Sequence, residues 1–455
     1  MPVVRSLLPA LVLLSVAVPA FAQSPILAAT LQESALPVAP QGAKYLGPGS
    51  CAAAACHGGI QARDATKVLQ NEYSTWIVQD RHARAYNVLL QPTARRMAQI
   101  LNIGAPEKSQ KCLVCHALAV PDAQIGRPFD LSEGVSCESC HGPSSLWLGP
   151  HVQATARHAD MVKLGLVDNK DLIVRAEKCL TCHLGAPGMQ VDHAMLAAGH
   201  PDLTFELDSF SSIEPPHWVE RAPDQKQPIA DPLFGVRIWS VGQAVQLRES
   251  MLRLAGDVRG PVWPEYTEMD CYACHHSLTK PEDSWRQAAG YSGRRPGNPP
   301  YNMARYVVFR HFAKSVDPSA AAELDRDLSE VYALASDLQP DRARLASAAD
   351  TAARAASMLE GEVRSAAYDA ARTSALMSAI AGDADAISFS GERSAEQATM
   401  ALDSLYIAQT KQSAPQPAVR SAIDGLYKML ENPSAYNAPA FAAQMHRVRD
   451  ALGSS

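Results

Sequence analysis

No cysteine in this 455-residue sequence stands outside five short boxes. No thiol is therefore left over for a separate disulfide framework or an independent zinc site. Aromatic residues are scarce, at 6%, so a long chain must fill part of its interior with something other than Phe and Trp. Lys and Arg form no cluster, which argues against nucleic-acid binding through a basic patch, and the net charge of −6 is modest. Beyond Ala22 no stretch approaches the ~20 apolar residues a membrane-spanning helix needs. No Cys lies near Ala22, so no lipid anchor is indicated. The chain exceeds one typical domain, and 47% of it is apolar, much of that Ala.

The cysteines themselves follow one pattern. Four boxes read Cys112-Leu113-Val114-Cys115-His116, Cys137-Glu138-Ser139-Cys140-His141, Cys179-Leu180-Thr181-Cys182-His183 and Cys271-Tyr272-Ala273-Cys274-His275. A stretched version places four Ala between Cys51 and Cys56, followed by His57. C-x-x-C-H is the attachment sequence of c-type haem. Its two thiols reach the two vinyl groups on one porphyrin edge, and the His that follows swings under the ring to bind iron. The expected proximal ligands are His57, His116, His141, His183 and His275. Five haems c are expected, or four if Cys51 and Cys56 carry none. The alternative at that first box is a Cys51–Cys56 disulfide with His57 a bystander. Against it, the Ala residues are small enough to bulge outward, and Gly58-Gly59 after His57 parallels Gly142 after His141.

Five irons call for sixth ligands, and fourteen His less five proximal ones leave nine. Residues 71–101 read as a helix carrying Trp76, Val78, His82, Tyr86, Leu89 and Leu90 at helical spacing, with His82 projecting onto an iron. The short interval between His116 and Cys137 puts the second and third boxes side by side. His151, tethered behind Gly149-Pro150, is favoured over His158 as the ligand of a neighbouring iron. His193 and His200, if helical, lie two turns apart on one face, about 10 Å along the axis. They would serve two adjacent haems, with Asp192 orienting a ring nitrogen. His217 sits in the stiff loop Pro215-Pro216-His217-Trp218. His276, next to His275, points away from that iron. For each candidate the plain alternative is a surface or core His with no metal.

Met1–Ala22 reads as a secretory signal peptide: Arg5, an apolar stretch from Leu7 to Val18, and the cleavage signal Ala20-Phe21-Ala22. It implies a periplasmic or otherwise exported protein, which suits haem attached outside the cytoplasm. Residues 23–46 read as a flexible leader, 47–300 as the pentahaem domain and 301–455 as a helical domain. In the last, Asp317-Pro318 and Pro340-Asp341 signal helix starts. Ser394-Ala395-Glu396-Gln397 resembles a capping box, and Pro417 and Pro439 open two further helices. This Ala-rich bundle contains only His311 and His446 and no motif with chemistry, and it suits capping the haem core or forming a docking face. The expected fold is mainly α with much irregular loop, its core organised by stacked haems.

The boxes, the CESCHGPSSLWLGPH stretch and the VDHAMLAAGHPDLTFEL and PPHW segments resemble the multihaem cytochromes c of the cytochrome c-554/c-prime-like group. That group is related to the tetrahaem electron acceptor of hydroxylamine oxidoreductase. The resemblance spans residues 45 to 280 and leaves the helical region outside. It implies His82 and His151 as distal ligands and places His193, His200 and His217 in segments that supply others. The stretched first box departs from the usual spacing.

Three functions fit. The first is a carrier passing single electrons between redox proteins, or from quinol-linked donors, through mostly bis-His haems. The second is an oxidoreductase with one five-coordinate haem acting on a small nitrogen or sulfur compound. Pentahaem nitrite reductases share the haem number, but their active haem uses a C-x-x-C-K box, and every box here ends in His. The third is a structural or filament-forming cytochrome that oligomerises through the helical region. No nucleic acid and no membrane span enter any of them.

Overall fold

The computed structural model describes residues 39–63, 67–275 and 298–453. The expected signal peptide, most of the expected leader, and His276, Pro281 and Pro296 lie outside them. Among the described residues the secondary structure is helical, without strands. The isolated bridges are Tyr45–Ile125, Ala186–Met189 and Met269–Tyr301.

The box-bearing part is built from short helices: Glu72–Gln79, Ala85–Leu89, Pro92–Leu101, Gln110–His116, Cys137–His141, His158–Lys163, Leu172–His183, His193–Ala197 and Leu207–Ile213. Four of the boxes thus sit on helical turns, with Cys271–Ala273 forming a 3-10 turn at the fifth box. The single helix expected over 71–101 is broken in two places. Asp80 is extended and its carboxylate accepts from the His82 backbone N–H, so His82 opens a 3-10 turn rather than lying within a helix. Pro92, which lacks an N–H, cannot continue the preceding helix and starts a new one behind an extended Gln91. The 193–200 segment is likewise shorter than expected. Its helix stops at Ala197, and Gly199 at φ 107° turns the chain before His200.

Residues 43–46, assigned by sequence to the leader, are instead tied down. Ala43 is buried, the Tyr45 backbone pairs with Gln124 and Gly126, and Leu46 donates to Glu138.

The second half is a bundle around the long helix Phe234–Arg259, which is buried on most of its circumference. It packs chiefly on Arg342–Ser365, and also on Leu172–His183, the helix that carries the fourth box. Ala349, Ala352 and Ala356 are fully buried on Arg342–Ser365. Such small side chains let two backbones approach closely. Trp239, Phe309, Phe312 and Phe441 fill the remaining volume. The caps at Asp317 and Asp341 form as their sequences suggest. The capping box at Ser394 does not: the helix starts earlier, at Glu392 behind Gly391, and Ser394 lies inside it. One hydrophobic core runs from Leu172 to Val448. The helix Phe234–Arg259, placed by sequence with the pentahaem segment, is therefore the central member of the bundle.

Candidate haem-binding core

Each box presents two thiols and an imidazole, and all ten cysteines are free. The thiol of Cys51 lies against Cys137, and Cys115 against Cys182. In each pair a shared hydrogen bond eases ionisation of one thiol, Cys51 and Cys182, and opposes that of its neighbour. Burial pushes the Cys140 thiol up to about 12. Thiol contact therefore joins the first box to the third and the second to the fourth.

The imidazoles form pairs. His57 faces His151 with ring centroids 6.3 Å apart, His183 faces His82 at 6.2 Å, His116 faces His200 at 6.4 Å, and His275 faces His193 at 6.5 Å. A metal–imidazole bond is about 2.0 Å, and the ring centre lies about 1.1 Å beyond the nitrogen, so two imidazoles on opposite sides of one metal have centroids about 6.2 Å apart. All four pairs have that spacing, and each joins one expected proximal His to one expected distal His.

Hydrogen bonds leave the correct nitrogen for iron. His57 Nδ1 donates to Glu72 Oε2 at 2.9 Å, and His116 Nδ1 to the Ala85 carbonyl at 2.9 Å. His151 Nδ1 donates to Leu148 O, His200 Nδ1 to Pro201 O at 2.8 Å, and His217 Nδ1 to Pro215 O at 3.2 Å. His82 Nδ1 meets Asp80 Oδ1 at 3.0 Å and Glu214 Oε1 at 3.3 Å. A proton held on Nδ1 by an acceptor leaves the Nε2 lone pair for a metal and fixes the ring's orientation. The residues thus fit haem c: paired thiols for the vinyl groups and imidazoles with Nε2 free. When bound, the group supplies a one-electron iron couple.

The third box differs in its surroundings. Burial lowers the His141 pKa to about 4, with the charge of His217 the next cause. His217 stacks edge-on to Trp218 at 4.7 Å. His158 is committed elsewhere, because its Nε2 lies 2.7 Å from Asp168 Oδ1. Asp192 does not orient His193. Its carboxylate caps the following helix by accepting from the Met195 N–H and pairs with Lys111.

Several functional positions were not visible in the sequence reading. Glu72 holds the His57 ring, Asp80 and Glu214 hold the His82 ring, and nothing in their local sequence marks them. Glu138 fills a variable position inside the third box. It is 1% exposed, and its carboxylate accepts from the backbone N–H groups of Leu46 (2.9 Å), Gly47 (2.7 Å) and Ser144 (2.7 Å). It therefore ties the entry to the first box onto the third. Gly142 at φ 77° follows, and a Cβ there would come within 2.6 Å of the Gly165 carbonyl. Replacing Glu138 with Ala strands three donors, those of Gly47 and Ser144 buried and that of Leu46 half-buried, and is expected to cost about 3 kcal/mol or more. The urea midpoint of the haem-loaded protein measures it, and an unchanged midpoint would refute the role.

A helical chain with paired thiols and opposed imidazoles is what a multihaem c-type cytochrome requires. Residues 51–142 match the family model described as cytochrome c554 and c-prime. The match covers the first three boxes and supports a multihaem cytochrome c-like family: a c-type cytochrome that carries haem c and takes part in electron transfer with redox partners. No curated protein and no solved structure matches the chain. No helix among the described residues is long and apolar enough to cross a membrane.

Proposed function

We propose that the protein is an exported carrier that passes single electrons between redox partners through five closely spaced haems, each held by two histidines. The observation that carries this reading is the set of four His–His pairs at 6.2–6.5 Å. An iron with imidazoles on both sides has no coordination site for a substrate. The ligand pairs are His57 with His151, His116 with His200, His183 with His82, and His275 with His193. His217, the remaining distal candidate, is assigned to His141, the remaining proximal one. The thiol contacts between boxes support close spacing, and close spacing favours rapid electron exchange along the chain.

Electron paramagnetic resonance of the oxidised protein tests the reading. All signals are expected to be low-spin, and a high-spin signal that shifts on adding nitrite, hydroxylamine or cyanide would establish an open iron instead. Two kinds of low-spin signal are expected. Parallel imidazole planes split the iron orbitals that interact with them, and perpendicular planes leave those orbitals nearly degenerate. The His57–His151 rings lie 9° apart, whereas His82–His183 and His116–His200 cross at 87° and 83°. The first pair should give a rhombic signal and the other two strongly axial ones. Intact mass counts the haems: five are expected, and a four-haem mass would remove Cys51 and Cys56 from the set.

A further inference from the structure

Three of the distal candidates, His151, His200 and His217, donate Nδ1–H to a neutral backbone carbonyl. His82 is different. Two carboxylates converge on its Nδ1, Asp80 Oδ1 at 3.0 Å and Glu214 Oε1 at 3.3 Å. Asp80 is 3% exposed. It is held by a second bond, accepting from the His82 backbone N–H at 2.9 Å. Glu214 arrives from another element, as the residue that closes the helix Leu207–Ile213. Ligand atoms of Asp80, His82 and Glu214 lie within 4.8 Å of one another, but the ring itself faces His183. The carboxylates therefore stand behind the imidazole, on the side away from its partner.

We propose that Asp80 and Glu214 are positioning residues that make His82 the most strongly donating distal ligand in the protein, so that the haem of the fourth box has the lowest reduction potential of the set. The inference rests on the assignment of His82 to the iron of His183. The physical argument is electrostatic. One electron converts iron(III) to iron(II), no bond forms or breaks, and the Nδ1 proton stays between ring and carboxylates. Two negative charges close to the ring stabilise the more positive, oxidised iron. Charge-assisted hydrogen bonds also draw the Nδ1 proton away and increase electron donation from Nε2. Burial keeps water from screening this effect at Asp80. Glu72 supplies a single carboxylate behind His57, so the first-box haem should lie next in order.

Spectroelectrochemical titration of the haem-loaded protein tests the inference with Asp80→Asn, Glu214→Gln and the double variant. Each single change is expected to alter the reduction equilibrium of the lowest-potential step about tenfold, which is about 59 mV for one electron. The double variant should move it further, with every haem still low-spin. Glu214→Asp, which keeps the charge, should stay closer to the parent than Glu214→Gln. Asn at position 80 can still accept from the His82 backbone, and Glu214 is not part of that turn, so a folding defect in one variant leaves the other informative. His82→Ala separates the two levels of the argument. If it produces a high-spin haem while the carboxylate variants leave the lowest step unmoved, the inference fails and the ligand assignment stands. If it leaves all haems low-spin, both fail.

Discussion

Replacing His193 and His200 together is expected to turn two haems high-spin, whereas either substitution alone turns one. The two residues are close in sequence, and a single straight helix would have carried both on one face. The structure separates them. His193 opens the helix His193–Ala197 and faces His275, and His200 lies beyond Gly199 and faces His116. Each removal takes one nitrogen from a different iron and leaves the proximal His in place. The opened irons should bind carbon monoxide after reduction, one equivalent for each single variant and two for the double. A double variant with only one high-spin haem would mean that both residues serve the same iron or that one serves none. The remaining haems should keep their signals, because the other ligand rings stand on other segments.

The second large effect concerns the joint between the bundle and the fourth box. Arg248, on Phe234–Arg259, pairs with Glu177 on the box-bearing helix Leu172–His183, with its neighbour Glu249 at 2.9 Å, and with Glu360 on Arg342–Ser365 at 2.7 Å. Glu177 and Glu360 are buried. Arg248→Met would leave both without their cation. Breaking a buried pair from one side typically destabilises by about 3–5 kcal/mol, and unfolding of the haem-loaded variant at pH 8 should show a loss of that order. Unchanged stability would mean that the cluster contributes nothing net.

The same cluster gives the stability a pH dependence with a definite sign. Burial pushes the Glu360 pKa up to about 8 from its ordinary 4.5. Arg248 pulls the other way, and Glu177 and Glu249 add to the rise. The folded protein therefore holds this proton more tightly than the unfolded chain. The resulting stabilisation is complete below pH 4.5 and is lost as pH rises through 8. Melting midpoints of the parent should decline across that window. Glu360→Gln, which keeps the shape and cannot ionise, should flatten the decline. An equally steep decline in the Gln variant would place the titration elsewhere. Arg248→Met should be most damaging at the alkaline end, because at low pH its stranded carboxylates take up protons.

Much of the architecture was legible from local signals. Asp317 and Asp341 cap the helices that their Pro-containing sequences announce, because a cap is a contact between neighbours in the chain. Ser394 misled for the opposite reason: its pattern suits a cap, but Gly391 and the packing of Glu392–Thr410 start that helix earlier. The run from 71 to 101 had helical periodicity throughout, and two residues, Asp80 and Pro92, overrode it. The long helix Phe234–Arg259 contains no cysteine and was grouped with the boxes by position. Its burial against Arg342–Ser365 is what puts it in the bundle.

The sequence by itself determined where the paired thiols lie and which His follows each pair. The two thiols and the imidazole of a box are covalently adjacent, so their spacing is set before folding. It also singled out His82, His151, His193, His200 and His217 as candidate distal ligands. Only the tertiary structure decided which proximal His each of His82, His151, His193 and His200 faces, and that Asp80, Glu214, Glu72 and Glu138 hold rings and boxes in place. The imidazole that faces each of four box histidines comes from a segment far along the chain. The hydrogen bonds that aim it come from yet other segments, so their meeting depends on how the chain folds back rather than on any interval that can be counted along it.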